Sequence, residues 1–559
     1  MKNLKFILPV IFAFVSKQLL GSASVAWTNV HSNPGGPVFT ASGAVKTSAN
    51  ITYVAYSDPW YSTFTSSVIE KIYIDGTTMT SVTTTMKINS LAIDYSTNSI
   101  YAIGGVKNTI GKFITCIEKY NSNCILQWRR TVDFSYGSPA NVHNAGEKGA
   151  YANGYLYVSG FVYPSDTIYD EDWTVTKVSE TGVIGFTDFK KIAMAGHDFP
   201  TDCGFLTDNS GASAFYVCGL MEQTSGIYGR AGMLMKFSTS LDIIWSRSLN
   251  QAFINAVDEW YDMEIFNNRI YLAGMGSITT TIFKPVCRVY TPDGVVTNQI
   301  LYDPFPATPT NGTAKKVKVD FSMNIYLGLN DAEFSHVVKY SALPGTNPLW
   351  DVKILPSAPI QFCNPSSLFY NEDIALSPNG LNIFAAGTVN ECSSGFPKNI
   401  PWTVNLATNT GNIVWSDFTS LNPVYLNPGA KYIFGISTSD CIIIGNCVQG
   451  LGTWYKYGFV RRYTTVTPRL DNNIDGTSDL SDPLSINLNP NPTGNTLHIA
   501  VESEINKISI YDLTGSVVKE YNQEMFFEAD LDVSFLKPGV YMLLVATKEK
   551  QTAVKFIKQ

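Results

Sequence analysis

DMEIFNNRIYLAGMGSITTTIFKPVCRVY, residues 262–290, decides the architecture. Apolar and polar residues alternate through DMEIF, the period of a half-buried strand. Asn267 and Asn268 supply a turn. IYLAGM is a short apolar run, a strand covered on both faces. A loop then leads to CRVY, a third strand with a cation inside it. The same order returns along the chain. The second strand reappears as YVAYS at 53, YAIGG at 101, YVSGF at 157, YVCGL at 216, YLAGM at 271, YLGLN at 326, IFAAG at 383 and IIIGN at 442. Successive spacings are 48, 56, 59, 55, 55, 57 and 59 residues.

Each repeat carries the same pieces. A first strand precedes the turn, as in LAIDY at 91, VKVDF at 317 and DIALS at 373. The third strand keeps a polar or positive residue near its middle, as in IEKIY at 69, VTKVS at 175, VVKY at 337 and VRRY at 460. A fourth often carries Trp: LQWRR at 126, IIWSR at 243, PLWDV at 348 and IVWSD at 413. One four-stranded sheet has two faces to cover, and stacking sheets radially covers each with a neighbour. The pattern therefore predicts an all-β chain built on a β-propeller over residues 27–464, with eight blades and seven as the alternative. A pair of β-sandwiches is the rival architecture. No Trp-bearing fourth strand follows VRRY, and AWTNV at 26–30 has no repeat before it. The N-terminal strand is expected to complete the last blade. In its repeats, residues 26–464 resemble bacterial propellers with a "KY…G…W" pattern.

The polar stretch TVTPRLDNNIDGTSDLSDPL, 465–484, is expected to be a linker. Beyond it a different pattern of alternating strands and Pro/Asn/Gly turns predicts a small β-sandwich of about seven strands. NPNPTGNTLHI, ISIYDLTGSVV, LKPGVYMLLV and the terminal VKFIKQ occur in that order, and residues 485–559 resemble the C-terminal sorting domain of the Bacteroidetes type IX secretion system. The resemblance implies that an outer-membrane translocon reads the tail. It further implies that a sortase-like peptidase removes it, joining the mature protein to surface lipopolysaccharide. Pro490, Asn491, Pro492, Gly494, Gly515, Pro538, Gly539, Tyr541, Lys555 and Lys558 are the positions it ties to sorting.

The beginning of the chain agrees with export. Lys2 and Lys5 precede the apolar run FILPVIFAFV at 6–15, and GSASVA follows at 21–26, the layout of a secretory signal peptide over residues 1–26. The protein is expected at the outer-membrane surface or outside the cell, by way of the periplasm. Export makes disulfides chemically accessible to its nine cysteines. Neighbouring pairs make Cys203 with Cys218, Cys116 with Cys124 and Cys441 with Cys447 the candidates, with Cys363–Cys392 a longer-range one. Buried free thiols are the alternative. Net charge is −7 and pI about 5.4, with no basic stripe, which argues against nucleic-acid partners.

Chemical motifs are sparse. Five histidines show no HExxH or close Cys–His spacing, and no Gly-x-Ser-x-Gly or phosphate-cradling loop occurs. No cofactor is required by these residues. One rim of a propeller would gather carboxylates such as Glu147, Asp198, Asp202, Asp258, Asp262, Glu372 and Asp373 beside the aromatics Trp60, Tyr61, Trp173, Trp260 and Trp454. Aromatic plates beside carboxylates suit a sugar, whose C–H face stacks and whose hydroxyls donate. Aromatics that pack loops and acids that solvate a rim are the plainer reading. In the linker, Asp471, Asn473, Asp475, Asp479 and Asp482 stand at positions 1, 3, 5, 9 and 12 of an EF-hand-like loop with Gly476 at 6, so Ca2+ is a candidate ligand there. That loop departs from the standard one in ending on Asp, not Glu. The functional expectation is a secreted module binding glycan or protein. The alternatives are a carbohydrate-active enzyme on the same scaffold and a structural adhesion protein.

Overall fold

The computed structural model describes residues 22–31, 40–57, 66–134, 143–163, 171–185, 187–192, 198–222, 230–249, 258–279, 282–303, 311–331, 334–342, 347–355, 370–391, 398–418, 425–449 and 455–466 of a first unit. In a second unit it describes residues 486–489, 493–501, 505–511, 517–521, 528–547 and 551–558. The units divide between Pro468 and Arg469.

The first unit is a β-propeller. Its described residues form eight four-stranded antiparallel sheets, seven of them from four consecutive strands. The innermost strands are Thr40–Lys46, Lys87–Asp94, His143–Ala152, Phe199–Thr207, Glu259–Phe266, Thr313–Val319, Tyr370–Leu376 and Tyr425–Gly435. These define sheets one to eight below. Each inner strand lies beside the next, and the eighth returns to the first. The eighth sheet takes its outer strand from the chain's beginning: Ser22–His31 pairs antiparallel with Tyr455–Val466, from Ser22↔Val466 to His31↔Gly458. A bulge at Ala26 interrupts that pairing, so leader cleavage after Ala26 would leave the run Trp27–His31 paired.

Turn chemistry explains the hairpins. Asn153 (φ 52°) and Gly154 (φ 79°) join the first and second strands of sheet three in the left-handed conformation that two-residue hairpins need. Asn267 and Asn268, at φ 45° and 59°, do the same in sheet five.

A recurring clasp joins neighbouring sheets. The Trp27 indole N–H donates to the Ile74 carbonyl at 3.0 Å, and the turn glycine Gly76, at φ 88°, lies under the ring. A Cβ there would sit 2.6 Å from the indole. Trp128 repeats this against Glu180 and Gly182, Trp245 against Pro292 and Gly294, and Trp350 against Thr408 and Gly411. The third-strand cations serve the same turns: Lys236 donates to the Pro292 carbonyl and Lys339 to the Thr408 carbonyl, both at 2.9 Å. The Trp and Lys that recur in the sequence are thus two halves of one joint. Trp27 makes the joint that closes the ring, with Arg462 adding a bond to Ile74 at 2.9 Å.

Between sheets the cores are apolar. One holds Tyr157, Trp173, Phe215, Val217 and Phe237, and the next holds Tyr216, Leu234, Trp260 and Leu272.

The cysteine pairs differ from the sequence expectation: Cys116, Cys124, Cys203, Cys218, Cys441 and Cys447 are all free thiols. Cys441 and Cys447 lie on one strand six residues apart, about 20 Å at strand rise, whereas a disulfide needs Cα atoms within about 7 Å. A bulge between Pro200 and Asp202 sets Asp202, not Cys203, opposite Cys218, so the two sulfurs point to opposite faces of the sheet. Cys116 sits inside Phe113–Tyr120, while Cys124 is in the turn beyond Tyr120, with about 13 Å of strand between them. Cys363 and Cys392 lie outside the described residues.

The described residues of the second unit form a seven-stranded sandwich. Ile486–Asn489, Thr496–Val501 and Glu528–Asp532 form one sheet. Val517–Tyr521, Ile505–Tyr511, Gly539–Thr547 and Gln551–Lys558 form the other, in that order. Leu497, Ile499, Ile508, Ile510, Leu543 and Phe556 are among the residues that fill the space between them. No helix among the described residues is long and apolar enough to cross a membrane.

Candidate functional site

Each inner strand of the ring carries a bulge, and together these build the axis. An inner strand pairs on one edge only, so its other edge faces the centre. The bulges fall at Ser42, Asn89, Glu147 and Thr201 in the first four sheets. They fall at Tyr261, Lys315, Glu372 and Lys431 in the last four. A bulge inserts a residue that has no partner opposite and re-aims its side chain. The re-aimed side chains meet across the sheets. Asn89 donates to the Glu147 carboxylate at 2.7 Å, and the Lys315 ammonium lies 3.6 Å from the Tyr261 ring centroid. Lys431 donates to the Ala41 carbonyl at 3.0 Å, where the eighth sheet meets the first.

The electrostatics follow from enclosure. Burial pushes the Glu147 carboxyl up to about 7, against the pull of Lys148, Lys87 and, from the eighth sheet, Lys431. Desolvation among the inner strands likewise raises Glu372, although its side chain stays open to solvent, and Lys315 and Lys431 oppose the rise. Lys315 is pulled below the ordinary lysine value by the same desolvation. Fields that reach from the third sheet to the eighth show these groups converging on one axis.

The residue after each bulge forms a second tier. The Asp202 carboxylate accepts the Met263 N–H at 3.0 Å, Asp262 accepts Val317 N–H at 2.9 Å, and Asp373 accepts Ile433 N–H at 2.9 Å. Each stitches its inner strand to the next. Asp262 also holds the Lys316 ammonium at 2.9 Å. Burial opposes ionisation of Asp262, but Lys316 and Lys318 outweigh it and hold the carboxyl below its usual range. Burial raises Asp202, and the Asp262 charge adds to it.

Past this tier, toward the turns that end the inner strands, lies a cavity of about 520 Å³. Lys46, Glu264, Lys316, Lys318 and Asp373 supply its polar lining, and Leu376 and Phe434 are among its apolar lining. Lys318 pairs with Glu264 at 2.6 Å.

Of the rim residues expected from sequence, Trp60, Tyr61 and Trp454 lie outside the described residues, as do all five linker candidates for Ca2+. Trp173 and Trp260 are wholly buried between sheets, with Gly219 and Gly232 making room for their rings, so neither presents a face to a ligand. Asp198 and Asp258 are buried too. They accept the N–H of Glu222 at 2.8 Å and of Ser277 at 2.6 Å, finishing the second strands of sheets four and five. Asp262 alone of these faces the axis. The axial lysines Lys46, Lys148, Lys315, Lys316, Lys318 and Lys431 went unread. For all but Lys318 the signal was a cation one or two places after a small residue in the inner strand, as in GEKGA at 146–150 and TAKK at 313–316. Among the described residues no cluster of three metal-ligating side chains occurs.

In the tail, Pro490, Asn491, Pro492 and Gly515 lie outside the described residues. Gly494 is exposed. Pro538 and Gly539 lead into the strand that carries Tyr541, whose hydroxyl donates to the Lys537 carbonyl at 3.0 Å. Tyr541 stacks on Phe556 with centroids 5.7 Å apart. Lys555 and Lys558 are on the last strand, opposite Met542 and Gly539. The Thr493 N–H donates to the Ile557 carbonyl at 2.8 Å and ties the start of the sandwich to its end.

No curated protein matches the chain in sequence. Among solved structures, the WD40 domain of SCAP from fission yeast is 10% identical over 79% of this chain and 98% of its own, with a TM-score of 0.38. The β-propeller domain of the Trilobed protease from Pyrococcus furiosus is 9% identical over 67% of this chain and 92% of its own, with a TM-score of 0.35. Likeness at this level carries nothing about ligands. Residues 487–559 match the family described as the secretion system C-terminal sorting domain, and the chain is therefore a β-propeller protein exported by the type IX secretion machinery to the cell surface or the extracellular space.

Proposed function

We propose that the propeller is an extracellular module that binds glycan or protein, delivered by its sorting tail. The supporting observation is the axial cavity of about 520 Å³, within the range of roughly 300–1,000 Å³ that ligand sites occupy, with both charged and apolar residues in its lining. Partly exposed Lys318 and Asp373 keep it in reach of water. After export the tail is cut off by a sortase-like peptidase and the propeller is held on surface lipopolysaccharide. A glycan array probed with the full chain tests the binding. A restricted set of glycans, lost on Lys318→Glu with the melting temperature retained, is the expected result. A blank array together with no thermal shift by any of its sugars would turn the reading towards a spacer.

The Glu147 carboxyl favours a second reading. A group poised near 7 across a channel from Glu372 is suited to acid–base work on a glycosidic bond. Turnover of a glycan by the full chain, abolished by Glu147→Gln with binding intact, would establish it.

A further inference from the structure

We infer that the axial cavity takes an anionic sugar residue, a uronic acid, with its carboxylate on Lys46. This rests on the binding-module reading and names its ligand class.

The charge of the cavity wall is the first argument. Lys318 is neutralised by Glu264 at 2.6 Å and Lys316 by Asp262 at 2.9 Å. Lys46, from the first sheet, donates to the Asn50 amide oxygen at 2.8 Å, and among the described residues no carboxylate pairs with it. It is therefore the lysine of the lining that has no carboxylate partner, while Asp373, the remaining acid of the lining, accepts the Ile433 N–H. Burial already pulls it below the ordinary lysine value, so an incoming carboxylate gives the ammonium the direct ion-pair partner it lacks.

The walls are the second argument. Leu376 and Phe434, from sheets seven and eight, give apolar lining on which a C–H face can rest. The Lys318–Glu264 pair and Asp373 stand on sheets five to seven with donor and acceptor side by side. A pyranose has an apolar C–H face and an edge of hydroxyls that both donate and accept, which matches that lining and that pair. A neutral sugar would satisfy both and leave Lys46 unpaired. A peptide terminus has the carboxylate but lacks the ring edge of hydroxyls that the paired charges would serve.

The test is titration calorimetry of the full chain with trigalacturonate, galactotriose and a tripeptide with a free C-terminus. Trigalacturonate should bind about tenfold tighter than galactotriose, the scale of one charge-assisted contact. Lys46→Gln should erase that preference and Lys46→Arg should keep it. Circular dichroism checks the fold. Where Lys46→Gln is unfolded, Leu376→Ser substitutes for it and must weaken both sugars. Equal affinity for the two sugars, or a preference that survives Lys46→Gln, would overturn the assignment while leaving the binding module standing. So would tighter binding of the tripeptide. Absence of trigalacturonate binding rejects the uronate, and the array result then decides the module separately.

Discussion

His336 is held at both ring nitrogens. Nδ1 lies 2.9 Å from Asp351 and Nε2 lies 3.1 Å from Asp331, with the residue 4% exposed. Tyr302 donates to the other Asp351 oxygen at 2.6 Å. Burial alone would lower the imidazole, but the two carboxylates outweigh it and raise its pKa above the ordinary 6.5. Its stabilising contribution is therefore complete below the unfolded value and fades as pH rises through the folded one. Urea unfolding of wild type and His336→Gln should show the largest stability gap below pH 6.5, narrowing as pH rises above it. A gap constant with pH would mean that the imidazolium is not what stabilises the site. The free thiols make a second prediction at this scale. Burial pushes Cys116, Cys287 and Cys447 up to about 12, so almost no thiolate exists at pH 8. Mass spectrometry after iodoacetamide treatment should find these three unmodified in the native protein and modified in urea. Only part of this was legible in the sequence. Cysteines close in the chain suggested bridges, but strand alternation and strand length, which act in space, separate the sulfurs.

At the scale of elements, the Trp–Gly clasp explains why the repeat has the residues it has. The fourth-strand Trp and third-strand Lys were visible as a pattern. Their shared target, a turn of the following sheet, was not, since it lies roughly 50 residues on in every case. Trp27 makes this joint for the ring's closure, so Trp27→Ala should cost about 2–3 kcal/mol in chemical denaturation. Gly76→Ala meets the same ring and a backbone at φ 88°, and should cost about 1–3 kcal/mol. Trp27→Phe, which keeps the plate and loses the N–H, should cost less than either. The misplaced rim belongs to this scale too. Trp173 and Trp260 stand next to loops in the sequence, yet a strand alternates its faces residue by residue, and both fall on the side that meets a neighbouring sheet.

For the molecule as a whole, the sorting tail governs where the propeller works. In a host with the type IX system, the full chain should reach the surface or medium, and a chain ending at residue 484 should stay in the periplasm. Fractionation and immunoblotting read this directly, and unchanged export of the truncated chain would make residues 485–559 an accessory domain. The repeat period, the strand order within it and the order of motifs in the tail were determined by sequence alone, because strand alternation, turn residues and linear motifs are local. The axial site was decided only by tertiary structure. Lys46, Glu147, Lys318, Glu372 and Lys431 are hundreds of residues apart at the extremes, and no local pattern relates them. Closing the ring brings eight bulged edges to one axis, and enclosure there moves the charges of residues that would be ordinary surface groups on a single sheet.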